Sequence, residues 1–187
     1  MGMLTEAKTK IRALIEDIGS SSFETFTYTT TNIFTIAQEN ITITKVLKNG
    51  VELGSGEYSF DSTTNKITIT AALTSGDTIE VDYTFYKYGD TELIEFIRAA
   101  LVWMSIYADC STDYEIEEND IYPTPDNKTE DMIALVASIL IKPDYSEYRL
   151  PNLTVRYPRN ITKEEKIERL VRKFHRGIGE ISVLEWD

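Results

Sequence analysis

The stretch VDYTFYKYGDTELIEFI, residues 81–97, changes period in its middle, so no single element can carry both halves. Up to Tyr88, the residues Val81, Tyr83 and Phe85 alternate with Asp82, Thr84 and Tyr86, the period of a half-buried strand. Past Gly89 and Asp90 the apolar residues Leu93, Ile94 and Ile97 recur at helical spacing. A strand that empties into a core helix with almost no linker predicts a β module that ends where a helical body resumes. The β signals reach back to about residue 23. Ile41 and Ile43 alternate with Thr42 and Thr44, Lys48, Asn49 and Gly50 make a tight-turn signal, and Tyr58 and Phe60 precede the DSTTN turn at 61–65. Ile67 and Ile69 alternate next, and TSGD at 74–77 turns the chain into the long strand that ends near Tyr88. Turns this closely spaced suggest a small antiparallel sandwich or barrel.

Helical periods flank that module. Residues 5–18 place Ile11, Leu14, Ile15 and Ile18 at core spacing and Lys8, Lys10, Arg12 and Glu16 on a wet face, with Gly19 as the stop. Residues 90–108 carry two apolar stripes. Leu93, Ile97, Leu101, Met104 and Ala108 form one, Phe96, Ala100, Trp103 and Tyr107 the other, and a narrow polar strip of Glu92, Glu95 and Arg98 is left over. Residues 128–141 are equally apolar through Met132, Ile133, Leu135, Val136, Ile139 and Leu140, and Pro143 closes them. A last helix opens on the capping box of Thr162 and Glu165, buries Ile167, Leu170, Val171 and Phe174, and stops at Gly177. The expected fold is therefore α+β, a bundle of about four helices with an antiparallel β module inserted after the first and a strand-like C-terminal tail. Residues 1–22 and 89–187 form the helical core and 23–88 the insertion, because insertions succeed where chain ends lie close together on a surface. A single mixed α+β domain is the alternative.

Catalytic chemistry finds little support. The only histidine, His175, is far in sequence from the only cysteine, Cys110, and no nucleophile elbow surrounds any serine. His175 reads as a cation near a helix C-terminus. One cysteine excludes an internal disulfide framework and a cysteine-based zinc knuckle. DCSTDYEIEEND, residues 109–120, clusters carboxylates but lacks the spacing and turn glycine of a calcium loop, so it reads as a solvated acidic loop. GVELGSG lacks the Lys-Ser/Thr ending of a phosphate loop. No catalytic, cofactor or metal residue is expected, and the chain reads as a non-enzyme. The N-terminus has no apolar leader, no run is long enough to span a bilayer, and the sequons at Asn40, Asn127, Asn152 and Asn160 read as chance in a threonine-rich chain.

Three surfaces remain. The aromatic stripe of the 90–108 helix makes Phe96, Trp103 and Tyr107 candidates for a subunit interface, since the 90–108 and 128–141 helices are both too apolar for a small monomer. The last helix carries Lys163, Lys166, Arg169, Arg172, Lys173 and Arg176, interleaved with glutamates. That is a solvated face with i,i+4 pairs, or one on which Lys166, Arg169 and Lys173 meet DNA phosphates or a partner. A formal charge of −12, from 31 acidic and 19 basic residues, confines any nucleic-acid contact to such a local patch. In the tail GEISVLEWD, Ile181, Val183, Leu184 and Trp186 put apolar groups on both faces of a strand, which folds back on its own helices or docks on a partner.

The phrases VLKNGVEL, GEYSFDSTTNKITIT and SGDTIEVDYTFY, followed by DTELIEFIRAALVWMSIY, PTPDNKTEDMIALVASILIKPDYSEY and a capped charged helix, resemble the head-tail connector (adaptor) proteins of tailed bacteriophages. The resemblance covers nearly the whole chain and rests on architecture and phrasing. It implies a structural subunit that assembles with copies of itself as a ring, commonly a dodecamer, beneath the portal protein and joins the capsid vertex to the tail. The implied partners are the portal, a downstream neck or tail protein and, non-specifically, genomic DNA, with no membrane. The implied place is the neck of the virion, assembled in the host cytoplasm. The other readings are a carbohydrate- or host-binding module acting through the β insertion, or another neck or tail component; Tyr83, Phe85, Tyr86 and Tyr88 read as cross-strand packing sooner than as an aromatic platform.

Overall fold

The structure, a computed structural model, describes residues 2–107, 113–117, 120–151, 153–175 and 183–184. The chain divides into two compact units, one of Met1–Asp17 with Asp90–Asp187 and one of Ile18–Gly89. The fold is α+β, with four helices among the described residues and several antiparallel sheets.

In the Ile18–Gly89 unit the strands are β1 (Ser20–Thr27), β2 (Ile33–Thr35), β3 (Ile41–Lys48), β4 (Val51–Glu52), β5 (Tyr58–Asp61), β6 (Lys66–Ile69) and β7 (Thr78–Phe85). They form two antiparallel sheets, β1-β7-β3-β4 and β2-β6-β5. Phe34, Ile67 and Ile69 from one sheet meet Val46, Ile79, Val81 and Tyr83 from the other in a single buried cluster. Period-two alternation explains this directly, since every second side chain of β7 points inward. The turn after β3 sets Asn49 and Gly50 at φ 51° and 81°, the left-handed pair that a two-residue hairpin requires. Nearby, Thr74 N and Asn49 Nδ2 each donate to the Asp77 carboxylate at 2.8 Å, and with Lys48 they push its pKa down to about 2.

The helical unit contains α1 (Met3–Leu14), α2 (Asp90–Tyr107), α3 (Asn127–Ile141) and α4 (Lys163–His175). It also holds three short elements: the hairpin β8 (Glu115–Glu117) and β9 (Asp120–Tyr122), the hairpin β10 (Glu147–Leu150) and β11 (Leu153–Arg156), and β12 (Val183–Leu184). α1 stops sooner than its apolar spacing predicts. Glu16 takes a left-handed conformation at φ 57°, and Ile18, expected in the core, is 81% exposed. Its basic face is less wet than expected. Lys10 bonds Asp131 at 2.6 Å and lies 3.0 Å from the buried Glu130, both in the first turns of α3. Burial would lower the Lys10 pKa, but the two carboxylates outweigh that and raise it. Lys8 and Arg12 pair with Asp90 at the start of α2, and Arg12 also pairs with Asp17. Carboxylates at helix N-termini are favoured by the macrodipole as well as by these cations.

α3 is buried at every position from Glu130 to Ile139, because it packs against α1, α2 and α4 at once. Its Asp126 cap accepts from Thr129 N at 2.8 Å, and Ser138 Oγ, fully buried, donates to Ala134 O one turn back. α4 begins as its capping box predicts, with Glu165 N donating to Thr162 Oγ1 and Thr162 N to Glu165 Oε2, each at 3.2 Å.

Between α3 and α4, the β10–β11 region supplies two buried tyrosines. Tyr148 OH donates to Lys142 O at 2.6 Å and Tyr157 OH to Lys166 O at 3.2 Å, with the rings edge to face at 6.2 Å. Burial pushes both phenols well above their ordinary value of 10.0. Groups whose folded pKa is raised contribute stability that is complete below the unfolded value and is lost as pH rises past it. Burial depresses the Lys166 pKa, which acts in the opposite sense below 10.5. With two phenols and Lys10, whose pKa is also raised, against one amine, we expect the helical unit's denaturant midpoint to hold to about pH 9 and fall by about pH 11. Tyr148→Phe with Tyr157→Phe should flatten the fall. An equally steep fall in the double variant would place its cause elsewhere.

Candidate functional site

The 90–108 helix was expected to present Phe96, Trp103 and Tyr107 to a neighbour. In α2 the buried stripe is Leu93, Ile97, Ala100, Leu101 and Met104. Phe96, Trp103 and Tyr107 are half-buried, and the rings of Trp103 and Tyr107 stack at 5.5 Å and 9°. The apolar groups most open to solvent are ones that the two-stripe reading left out: Val102 is 59% exposed and Ile106 is 65% exposed. They continue the polar strip of Glu92, Glu95 and Arg98 along the helix. That strip is charged in its first half, where Glu95 and Arg98 pair at 3.7 Å, and apolar in its second. The signal was present in the sequence, because 95, 98, 102 and 106 follow one another at spacings of three and four.

The 128–141 helix was read as too apolar for a monomer, and that reading is corrected. α3 is apolar because its own unit surrounds it from Glu130 to Ile139, so that stretch offers no surface of its own.

On α4 the three residues grouped as DNA- or partner-facing separate. Lys166 is buried at 4% exposure and faces inward, which corrects its assignment. Its Nζ donates to the carbonyl oxygens of Pro143 and Tyr145, the latter at 2.8 Å, and lies 5.7 Å from the centre of the Tyr157 ring. Burial depresses its pKa. Lys166 thus serves as a hydrogen-bonded strut for the chain leaving α3. Its neighbour Ile167 and the apolar Leu170 and Val171 line the same buried side. Arg169 and Lys173 are half-buried, while Arg172 pairs with Glu168 at 2.6 Å and Lys163 lies 3.9 Å from Glu164. Arg176 lies outside the described residues.

The tail is also partly reassigned. Val183 and Leu184 pair in parallel with Thr154 and Val155 of β11, so their backbone is occupied by the chain's own hairpin rather than held out for a partner. The β10–β11 hairpin was not anticipated, and it supplies the edge on which this pairing forms. Ile181 and Trp186 lie outside the described residues.

The aromatic platform does not assemble. Tyr83 is 4% exposed and donates to Glu24 at 2.9 Å on the inner face, and Phe85 packs against the same core. Burial raises the Tyr83 pKa. The acidic stretch is partly a hairpin rather than a loop, with Ile116 opposite Ile121. Asp120 accepts from Leu4 N at 3.1 Å and from Ile121 N at 3.0 Å, so it serves as a tie to α1. Asp109, Cys110 and Glu118 lie outside the described residues. Among the described residues no three metal-binding side chains converge, and no helix is long and apolar enough to cross a membrane.

No protein-family model matches the sequence, and no curated protein matches it.

Proposed function

We propose that the chain is a structural subunit of the neck of a tailed-bacteriophage virion, a head-tail connector that forms a ring beneath the portal and joins the capsid vertex to the tail. One observation carries the reading. α2 leaves Val102 and Ile106 exposed beside the Trp103–Tyr107 stack, while its other stripe is buried in its own unit. Apolar groups gathered on one exposed helix strip suit a protein contact, and a ring needs a surface that repeats around closed symmetry. The order of elements, a helix, an inserted β unit and three further helices, supports it through the resemblance of the sequence to connector proteins.

In this role the chain binds copies of itself, the portal and a downstream neck or tail protein, and performs no reaction. Arg169 and Lys173, spaced one turn apart on α4, are the residues for sequence-independent contact with passing DNA. The test is to mix the purified chain with portal rings of the same virus and image the product by negative-stain electron microscopy. A new ring of density on one end of the portal is expected, and bare portals at excess subunit would sink the reading. In virions, Arg169→Gln with Lys173→Gln should lower genome retention without disturbing ring formation. Unchanged genome content would remove DNA from the partners.

A further inference from the structure

The two edges of the first sheet of the β unit are unlike each other. On one side β4 is two residues long, and β3 behind it is interrupted between Ile43 and Lys45 and carries Lys45 and Lys48. Short strands, irregular register and lysines are the means by which proteins keep a sheet edge from pairing with foreign strands. β1, at the other side, has none of them. It is eight residues long, pairs with β7 in unbroken register from Ser20↔Phe85 to Thr27↔Thr78, and ends its sheet. It contains no lysine, arginine or proline.

Ladder alternation shows which groups the open edge presents. Asn49 N donates to Thr78 O at 2.8 Å and Tyr86 N to Asn40 O at 3.1 Å, so the even-numbered residues of β7 bond toward β3. The odd-numbered ones bond toward β1, consistent with Tyr28 N donating to Asp77 O at 2.8 Å. In the observed register they meet Ser20, Ser22, Glu24 and Phe26. The N–H and C=O groups of Ser21, Phe23, Thr25 and Thr27 therefore point out along the open edge. The side chains of these four are exposed, Phe23 to 63%. Glu24, the single charge on β1, is turned to the inner face, where it accepts from Tyr83 OH and, at 3.0 Å, from Ala37 N.

We propose that β1 is a self-pairing edge, on which a second copy of this chain adds its own β1 antiparallel, with Phe23 opposite the partner's Phe23 and Ser21 opposite the partner's Thr25. The edge is its own complement. Its outward row is neutral, so two copies bring no like charges face to face, and the pairing matches aromatic with aromatic and hydroxyl with hydroxyl. A basic peptide would gain little from such a row. Of the two carboxylates one strand in on that face, Asp82 opposite Phe23 already has Lys45 opposite it on its other side, which leaves Glu80, opposite Thr25, as a single charge behind a neutral row. This pairing rests on the β unit alone and holds whether or not the chain builds a ring.

The charge of −12 on each copy opposes approach at long range, so screening by salt should strengthen the pairing, whereas salt would weaken the hold of a basic ligand. The experiment is sedimentation of the full chain over a range of concentrations at low and high salt. A two-copy species that grows with both is expected. Thr25→Pro removes only an outward N–H and leaves the β7 ladder intact, so it should weaken association by about tenfold or more at an unchanged melting temperature. Phe23→Lys should do the same, and Trp103→Glu should leave the species in place. In a Cys110→Ser background, Phe23→Cys should give a disulfide-linked dimer on mild oxidation, since opposed residues of a bonded pair lie about 5.5 Å apart between Cα atoms. A chain that stays monomeric at about 100 μM in high salt overturns the proposal. So does a dimer that Thr25→Pro leaves untouched, or one that salt disperses.

Discussion

Replacing Val102 and Ile106 together with glutamate should leave the chain folded and stop it adding to portal rings. Both side chains are more than half exposed, so the isolated subunit should lose no more than about 0.5 kcal/mol for each. Arg98, one turn before Val102, offsets part of the added charge, and the acids' position near the C-terminal end of α2 adds a few tenths of a kcal/mol against the helix. In an assembled interface the outcome differs, because each buried carboxylate without a partner costs about 3 kcal/mol or more. Two of them weaken association by a factor of about 10⁴. A circular-dichroism melt beside negative-stain images of the portal mixture reads both halves of this result. Normal addition by the double variant would remove α2 from the interface. Leu101→Glu is the contrasting control, since Leu101 lies in the core at 8% exposure and its substitution should unfold the helical unit.

Lys166→Met should destabilise the helical unit by about 2–6 kcal/mol. The substitution keeps the length and apolar stem of the side chain but removes the ammonium that the carbonyls of Pro143 and Tyr145 accept from. Partly buried carbonyls that lose a charged donor cost about 1–3 kcal/mol each, which sets the range. Urea unfolding followed at the helical signal measures it. Arg169→Met, three residues along the chain and half-buried, serves as the comparison and should cost far less. If the two variants unfold at the same urea concentration, Lys166 is no strut.

Helix positions were legible because apolar spacing and end signals act locally. The capping box of Thr162 and Glu165 and the switch of period at Asp90 both appear in the structure where the sequence places them. What a helix packs against is not local. α3 and α2 look alike in apolar content, yet α3 is enclosed on all sides and α2 is not, since that depends on how many neighbours the rest of the chain delivers. Lys166 fails for the same reason. Among basic residues at helical spacing nothing marks the one that faces inward, because its partners are backbone carbonyls that any sequence possesses. The β10–β11 hairpin was missed through brevity. Tyr148, Leu150 and Val155 do alternate with exposed or half-buried residues, but each strand is four residues long, too short for the period to stand out. In the candidate surface, Trp103 and Tyr107 drew attention by size, whereas Val102 and Ile106 needed the polar strip to be followed past Arg98.

Arg12 touches the last residue before the β unit's segment and the first one after it, pairing with Asp17 and with Asp90. One guanidinium thus staples the doorway through which the chain leaves the helical body and returns. The body's closure is written into its own residues and asks nothing of whatever is strung between the doorposts. A foreign domain, an epitope or a short glycine-serine bridge spliced between Asp17 and Asp90 should therefore be tolerated.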